Sequence, residues 1–133
     1  MTSPDVRSGT DAVIVTWGAL VQRSLVAAQM AEKTGRSVGV IDLRTILPYD
    51  FDTVADAVKR TNRVIVAHED QLTCGFGAEI AARISEDLFE YLDAPVTRVG
   101  AMDTPVAYAP ELEEAILPQT DDLLKAIEKI TAY

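Results

Sequence analysis

The sequence predicts an α/β fold in which helices cover both faces of a mainly parallel β-sheet. Runs of β-branched residues alternate along the chain with segments whose apolar residues recur at helical spacing. The strand-like runs are continuously apolar, which is typical of strands buried on both faces. Short turns join the elements, so the helices serve as the crossover connections that parallel strands need.

The first third of the chain predicts two buried strands with a helix between them. Asp11–Trp17 (DAVIVTW) is a β-branched run, and Ser37–Leu43 (SVGVIDL) is a second one. Ala19–Lys33 has a helical period, and Gly35 follows it where a helix usually ends in a left-handed cap. The inner face of this helix carries Leu20, Ser24, Ala27 and Ala31.

The middle of the chain predicts a helix, a strand and a second helix. Pro48–Arg60 opens with a proline and offers Asp50 or Asp52 as its N-cap. Arg63–Glu69 (RVIVAHE) is the strand, and Gly77–Leu92 is the second helix. The inward-facing residues of the two helices are Val54, Ala57, Val58, Ile80, Ile84, Leu88 and Tyr91 or Leu92.

The last part of the chain predicts a short strand, a long connection and a C-terminal helix. The strand is Ala94–Gly100, and the helix lies within Thr120–Tyr133 with Thr120 or Asp121 as its cap. The apolar stripe of this helix is Leu123, Leu124, Ile127 and Ile130. The connection has no periodicity, and ordered connections of this length tend to be functional or to lie along a partner. Its acids, Glu111, Glu113 and Glu114, are most simply a solvated face.

Composition restricts the classes of function that the chain can have. Its 133 residues suit one domain, and its formal charge of −9 excludes nucleic acid and anionic membrane as partners but suits a basic protein. One cysteine and one histidine cannot form a thiolate–imidazole zinc site, so no metal is expected in this chain. The polar start lacks the apolar core of a signal peptide, and apolar runs fall short of the about 20 residues of a membrane span. These features predict a soluble, cytoplasmic domain.

The only histidine lies at the carboxyl end of a predicted strand, which is where open parallel sheets bind ligands. Glu69 and Asp70 follow His68, and such carboxylates favour the charged imidazole, which suits acid–base chemistry. The chain has no second histidine and no G-x-S-x-G motif to complete a catalytic group, so a structural or interface role is favoured. Cys74 precedes a helix N-terminus, where a thiolate is stabilised, but a lone cysteine at a turn is more often inert.

Gly75 and Gly77 match the first half of the dinucleotide-binding pattern G-x-G-x-x-G, but Ile80 stands in place of the third glycine. The preceding loop is long for the tight turn of that fold, and no acid ends the next strand. The favoured interpretation is that the glycines let the helix begin close against the sheet. At another strand end, Asp42 and Arg44 predict a structural ion pair.

Several motifs resemble, in the same order, those of one protein family. They include DLRTILP (42–48), GFGAEI (75–80) and LDAPVTRV (92–99), and the resemblance spans about residues 4–133. The chain is similar to the C-terminal domain of the β subunit of 2-oxoacid dehydrogenase decarboxylases, which are thiamine-diphosphate enzymes of the transketolase superfamily. Its HED…GFGAEI segment is more similar to branched-chain (2-oxoisovalerate) members than to pyruvate members.

The resemblance implies a three-layer α/β/α sandwich around a five-stranded, mostly parallel sheet whose first strand is antiparallel. Residues 1–10 are then the N-terminal tail and edge strand, at the end of a linker from a missing pyrimidine-binding domain, and residues 11–133 are the transketolase C-terminal-like domain. Ser8 and Gly9 suit a tight turn and independently favour a short antiparallel edge there. The family's cofactor-binding parts lie outside these residues, so we expect this chain to bind no cofactor and to be inactive alone.

The resemblance also implies partners. In the family this domain helps to assemble a heterotetramer from α subunits and a second β subunit, and to dock the subunit-binding domain of the lipoyl acyltransferase core. That docking module is typically basic, which agrees with the charge of −9. The resemblance assigns docking to Tyr133 and, more loosely, to Asp93; it assigns no catalytic residue here, with His68 at most a minor contributor. The complete enzyme decarboxylates a branched-chain 2-oxo acid on thiamine diphosphate and magnesium and acylates lipoamide.

Two alternatives stay open. The first is the corresponding domain of a pyruvate or acetoin dehydrogenase β subunit or of a transketolase. The second is a stand-alone nucleotide- or effector-binding module that uses Gly75 and Gly77, and calorimetry with adenine nucleotides would distinguish it from a docking domain.

Overall fold

The computed structural model describes residues 5–44, 49–101 and 117–133. In chain order the elements are β1 (Asp5–Arg7), β2 (Ala12–Thr16), α1 (Leu20–Glu32), β3 (Val38–Asp42), α2 (Phe51–Thr61), β4 (Val64–Gln71), α3 (Phe76–Asp87), β5 (Thr97–Ala101) and α4 (Thr120–Thr131). A 3₁₀ turn, Phe89–Tyr91, follows α3. The acids Glu111, Glu113 and Glu114 lie outside the described residues.

The strands form one sheet in the order β1-β3-β2-β4-β5. β1 is antiparallel to β3, and all other neighbours are parallel, so the predicted fold class is confirmed. Because β1 pairs with β3 rather than with β2, Ser8 and Gly9 do not form a hairpin turn between consecutive strands. Instead the chain crosses β3 at Gly9, where a Cβ atom would lie only 2.2 Å from the backbone nitrogen of Gly39. Glycine is therefore required for the chain to pass from β1 to β2.

Both faces of the sheet are buried, as the continuously apolar strands predict. In β2, Ala12 and Ile14 pack into the core formed with α1 and α4, whereas Val13 and Val15 pack into the core formed with α2 and α3. Alternate residues of one strand thus serve two cores, which produces the three layers. Within the described part of the chain, no helix has both the length and the apolarity of a membrane span.

Two helix caps were open from the sequence, and the structure settles them. Asp50, not Asp52, caps α2, and its carboxylate accepts a hydrogen bond from the backbone N–H of Thr53 at 3.1 Å. The prediction for α4 is wrong, because its cap is Gln119 rather than Thr120 or Asp121. The backbone N–H of Gln119 donates to the carboxylate of Asp122 at 2.9 Å, which completes a capping box.

The second predicted helix of the middle segment is shorter than expected. α3 ends at Asp87 rather than Leu92, because Leu88 leaves the helical region with φ −123° and ψ 15°. Leu88 remains buried, so the apolar spacing that predicts a longer helix is real, but the backbone turns there. The turn brings Phe89 and Asp93 to the surface.

Candidate functional site

His68 is fully buried at the edge of the sheet where the parallel strands end. Its imidazole stacks on Trp17, which follows β2, with ring centroids 5.6 Å apart and planes 13° from parallel. Phe76, the first residue of α3, makes an edge contact with Trp17 at a centroid distance of 6.0 Å. Aromatic rings from this chain therefore pack around His68 at the edge of the sheet where a ligand was expected.

Three glycines form the slot that holds the imidazole. A Cβ atom on Gly77 would lie 2.1 Å from Cδ2 of His68, and one on Gly100 would lie 2.8 Å from Cε1. A Cβ on Gly75 would lie 2.1 Å from the backbone oxygen of Gln71 and 3.2 Å from Cε1 of His68. The glycine pair thus brings the start of α3 against His68, a geometry that favours the packing interpretation over a phosphate-binding loop.

Burial sets the charge of His68. Loss of hydration lowers the pKa of the imidazole, and this effect outweighs the carboxylate of Asp70, which raises the pKa; the Arg98 guanidinium also lowers it. Neither ring nitrogen has a hydrogen-bond partner among the described residues. The expectation that neighbouring acids favour the charged imidazole is wrong, because Glu69 and Asp70 are exposed while the ring is not. His68 is a neutral, buried side chain in this domain.

The other residues noted at the strand ends are exposed. Cys74 is a free, exposed cysteine with a left-handed backbone (φ 62°) just before α3. The predicted ion pair is present, with Nε of Arg44 3.7 Å from the carboxylate of Asp42. Such a rim pair is screened by solvent and contributes little to stability.

Asp93 and Tyr133 lie in one groove, although they come from different parts of the chain. The groove has a volume of about 550 Å³ and is lined by Ser85, Phe89, Leu92, Asp93, Ala94, Pro95, Val96 and Tyr133; we call it the Tyr133 groove. Phe89 and Tyr133 are 74% and 62% exposed, which is unusual for large apolar side chains. No motif or period in the sequence marks Phe89, because it follows the unpredicted end of α3.

The end of α2 fixes both walls of the Tyr133 groove. Asn62, in a left-handed conformation (φ 64°), donates from its side chain to the backbone oxygen of Tyr91 at 2.7 Å. Its own backbone oxygen accepts from the N–H of Asp93 at 2.8 Å. The adjacent Arg63 donates to the backbone oxygen of Tyr133 at 3.0 Å. Two consecutive residues, Asn62 and Arg63, therefore fix the positions of the Asp93 loop and the Tyr133 segment.

Acidic residues are concentrated near the end of α3, against the local preference of the helix, and one acid, Asp93, lines the groove. The last turn of α3 contains Glu86 and Asp87 and no base, although a helix C-terminus disfavours negative charge. Arg83 pairs with Asp87 at 3.5 Å, and no ion pair is found for Glu86, Glu90 or Asp93 within residues 5–44, 49–101 and 117–133. The Asp93 side of the groove is thus suited to a cationic group of a partner.

Comparison with known sequences finds one family. The family described as "Transketolase, C-terminal domain" matches residues 3–123. The chain is 47% identical over 125 residues to the 3-methyl-2-oxobutanoate dehydrogenase subunit beta of Mycobacterium tuberculosis, covering 93% of this chain and 36% of that protein. It is 43% identical over 128 residues to the pyruvate dehydrogenase E1 component subunit beta of Leifsonia xyli, covering 96% and 38%. The chain spans little more than a third of the length of these relatives.

Solved structures share the fold. A structure described as "Split gene transketolase, inactive beta4 tetramer" superposes with a TM-score of 0.85 at 26% identity, covering 98% of this chain and 42% of that one. A transketolase mutant from Pichia stipitis superposes with a TM-score of 0.58 at 15% identity, covering 98% and 18%, and shows the fold alone.

The glycine slot predicts that Gly77→Ala destabilises the domain. Alanine normally favours a helix over glycine, but here its Cβ would overlap His68, and overpacking of this kind costs about 1–3 kcal/mol. Urea unfolding followed by circular dichroism measures the change. In a His68→Ala background the same substitution should be neutral or stabilising, because the clash is gone. A Gly77→Ala cost that is equal in both backgrounds would show that the imidazole does not occupy the slot.

The buried imidazole predicts a pH dependence of stability. The pKa of His68 is lower in the folded chain than its unfolded value of about 6.5, so the unfolded state binds more protons below that pH. The stability that the neutral, buried imidazole contributes is fully present above a pH of about 6.5, and it is lost as the pH falls towards the pKa of His68 in the folded chain. We expect the free energy of unfolding to decline more from pH 7 to pH 5 in the wild type than in His68→Asn or His68→Leu.

The same titration has a direct readout, because the chain has one histidine. The imidazole C–H resonance of an untagged sample should titrate below pH of about 6.5 by NMR. A midpoint at or above that value, or parallel stability slopes for wild type and variants, would refute the assignment of a buried neutral ring.

Proposed function

Because the chain belongs to the transketolase C-terminal domain family, we propose that it is the assembly and docking domain of a 2-oxoacid dehydrogenase β subunit. In the complete enzyme, a cytoplasmic decarboxylase, the 2-oxo acid reacts on thiamine diphosphate and the acyl group passes to lipoamide. A relative named for 3-methyl-2-oxobutanoate supports a branched-chain substrate. A relative named for pyruvate makes the pyruvate enzyme the second candidate.

The observation that carries the docking role is the Tyr133 groove. Asp93 and Tyr133, assigned to docking by resemblance alone, line it together with the exposed ring of Phe89. Aromatic side chains beside charged groups are the usual energetic centres of protein interfaces. The hydrogen bonds from Asn62 and Arg63 hold the walls in place before binding, which reduces the entropic cost of association.

The proposal assigns subunits as well as a docking partner. The α subunit and a second β subunit complete the heterotetramer, and the subunit-binding domain of the lipoyl acyltransferase occupies the groove. Residues 1–10 form the tail and edge strand that follow a linker from a pyrimidine-binding domain, and residues 11–133 form this domain. The relatives are long enough to contain such a preceding domain.

We assign no cofactor and no catalytic residue to this domain. Among the described residues, no group of three or more His, Cys, Asp or Glu side chains is placed to hold a metal ion. His68 is neutral and fully buried, and its ring packs against Trp17 and three glycines. Thiamine diphosphate and magnesium belong to the other domains of the enzyme in this proposal.

We predict that substitutions in the Tyr133 groove weaken docking while leaving the fold intact. Tyr133→Ala and Asp93→Lys should each reduce affinity for the acyltransferase subunit-binding domain by about tenfold. Truncation of an interface aromatic residue often costs about 1 kcal/mol or more, and a charge reversal replaces attraction with repulsion. Isothermal titration calorimetry measures the affinity. Glu79→Lys is the matched control, since it reverses an exposed acid at the opposite end of α3 and should bind like the wild type. Wild-type affinity in both groove variants would remove this docking assignment.

We also predict that the chain alone does not decarboxylate 2-oxo acids. With added thiamine diphosphate and magnesium, release of CO₂ from 2-oxoisovalerate or pyruvate should equal that of a protein-free control. A matched sample that contains an α subunit and a full-length β subunit is the positive control for CO₂ release. Turnover by the chain alone would place catalytic groups within these 133 residues and contradict the assignment.

A further inference from the structure

We infer that the Tyr133 groove and the basic pocket beside it bind one partner, which is recognised through opposite charges at its two ends. The inference rests on the proposed docking function and adds the chemistry and orientation of the partner. The docking segment presents a cationic side chain to Asp93, an apolar face to Phe89 and Tyr133, and a carboxylate to Arg98 and Lys129.

The two cavities are neighbours that share part of their lining. A second cavity of about 340 Å³ is lined by Leu72, Pro95, Val96, Thr97, Arg98, Lys129 and Tyr133. It shares Pro95, Val96 and Tyr133 with the Tyr133 groove, so these residues form the boundary between the two. The exposed Tyr133 ring therefore separates an acidic end from a basic end of one surface.

The basic end is built from two exposed cations in a strongly acidic chain. One guanidinium nitrogen of Arg98 donates to the backbone oxygen of Leu72 at 2.7 Å, which fixes the group on the edge strand β5. Lys129 reaches the same pocket from the last turn of α4. Across the described ranges, neither side chain forms an ion pair, although the chain contains 21 acids and 12 bases.

The helix dipole explains the position of only one of these two cations. A base in the last turn of a helix is locally favourable, which accounts for Lys129. No such effect acts on Arg98, because it lies on a strand and is exposed. Placing a second cation beside the first costs repulsion that a carboxylate from a partner would relieve.

The acidic end is likewise available for a partner. The backbone N–H of Asp93 donates to the backbone oxygen of Asn62. The exposed carboxylate of Asp93 has no ion pair within the described residues. Lys59 is the nearby base, and it lies over the Tyr91 ring at 5.2 Å from the centroid. A partner bound in the reverse direction would place like charges together at both ends, so the arrangement selects one orientation.

The test uses the full chain and the acyltransferase subunit-binding domain in calorimetry. Arg98→Glu and Lys129→Glu should each weaken binding by about tenfold. Lys33→Glu is the matched control, since it reverses an exposed base at the C-terminal end of α1 and should leave affinity unchanged. Circular dichroism melting verifies that each variant keeps the fold.

An exchange of charges between the chain and the subunit-binding domain distinguishes a direct contact from a structural effect, because only a direct contact allows the second variant to restore affinity. Asp→Lys and Glu→Lys variants of the subunit-binding domain are titrated against Lys129→Glu, and one of them should restore affinity at least fivefold. If Tyr133→Ala and Asp93→Lys weaken docking while Arg98→Glu and Lys129→Glu do not, the inference is overturned and the docking role stands. Tighter binding by either Glu variant also overturns it. If Tyr133→Ala and Asp93→Lys both bind like the wild type, the docking role falls, and the inference falls with it.

Discussion

Burial of both faces of the central strand is the constraint on which the rest of the structure depends. Every residue of β2 is buried, and its neighbours β3 and β4 are both parallel to it, so each return of the chain must run through a covering helix. The four parallel strands, β2 to β5, therefore all point to one edge, where His68 and Trp17 meet. The segments that precede β4 and β5 meet at the opposite edge, and there Asn62 binds the Asp93 loop. The groove is thus separate from the edge at which parallel sheets usually bind small ligands.

Most of the fold can be predicted from local sequence pattern. The prediction differs from the structure where contacts between distant residues decide the conformation. The apolar runs and helical periods predict β2 to β5 and the described helices, because burial on two faces or on one face leaves a visible period. The end of α3 is different: the spacing of Leu88 and Leu92 still suits a helix, but the chain turns where Tyr91 bonds to Asn62, which is distant in sequence. The pairing of β1 with β3 likewise depends on the contact of Gly9 with Gly39, and neither glycine carries a signal for it.

The His68 slot and the Tyr133 groove are likewise predictable only where local sequence decides them, and not where distant residues come together. A sequence shows that His68 has acidic neighbours, and it does not show that Gly77 and Gly100 enclose the ring. Desolvation then reverses the direction of the pKa shift that the neighbours alone would give. Asp93 and Tyr133 could be assigned by resemblance, but Phe89 and Arg98 join them only through folding, because a groove between a turn, a strand and a helix end has no sequence period.

The energetics of the groove explain why both charge and aromatic surface belong there. An exposed ion pair contributes about 0–1 kcal/mol, so neither Asp93 nor the Arg98 pocket can by itself hold a partner. Burial of the exposed rings of Phe89 and Tyr133 is the larger gain, at roughly 25 cal/mol for each Å² of apolar surface removed from water. Apolar contact has no direction, however, and would accept a docking segment in either orientation. Opposite charges on either side of Tyr133 supply that direction, and the hydrogen bond from Arg63 keeps the dividing segment in place. In the docking that we propose, affinity and orientation therefore arise from different residues of the same surface.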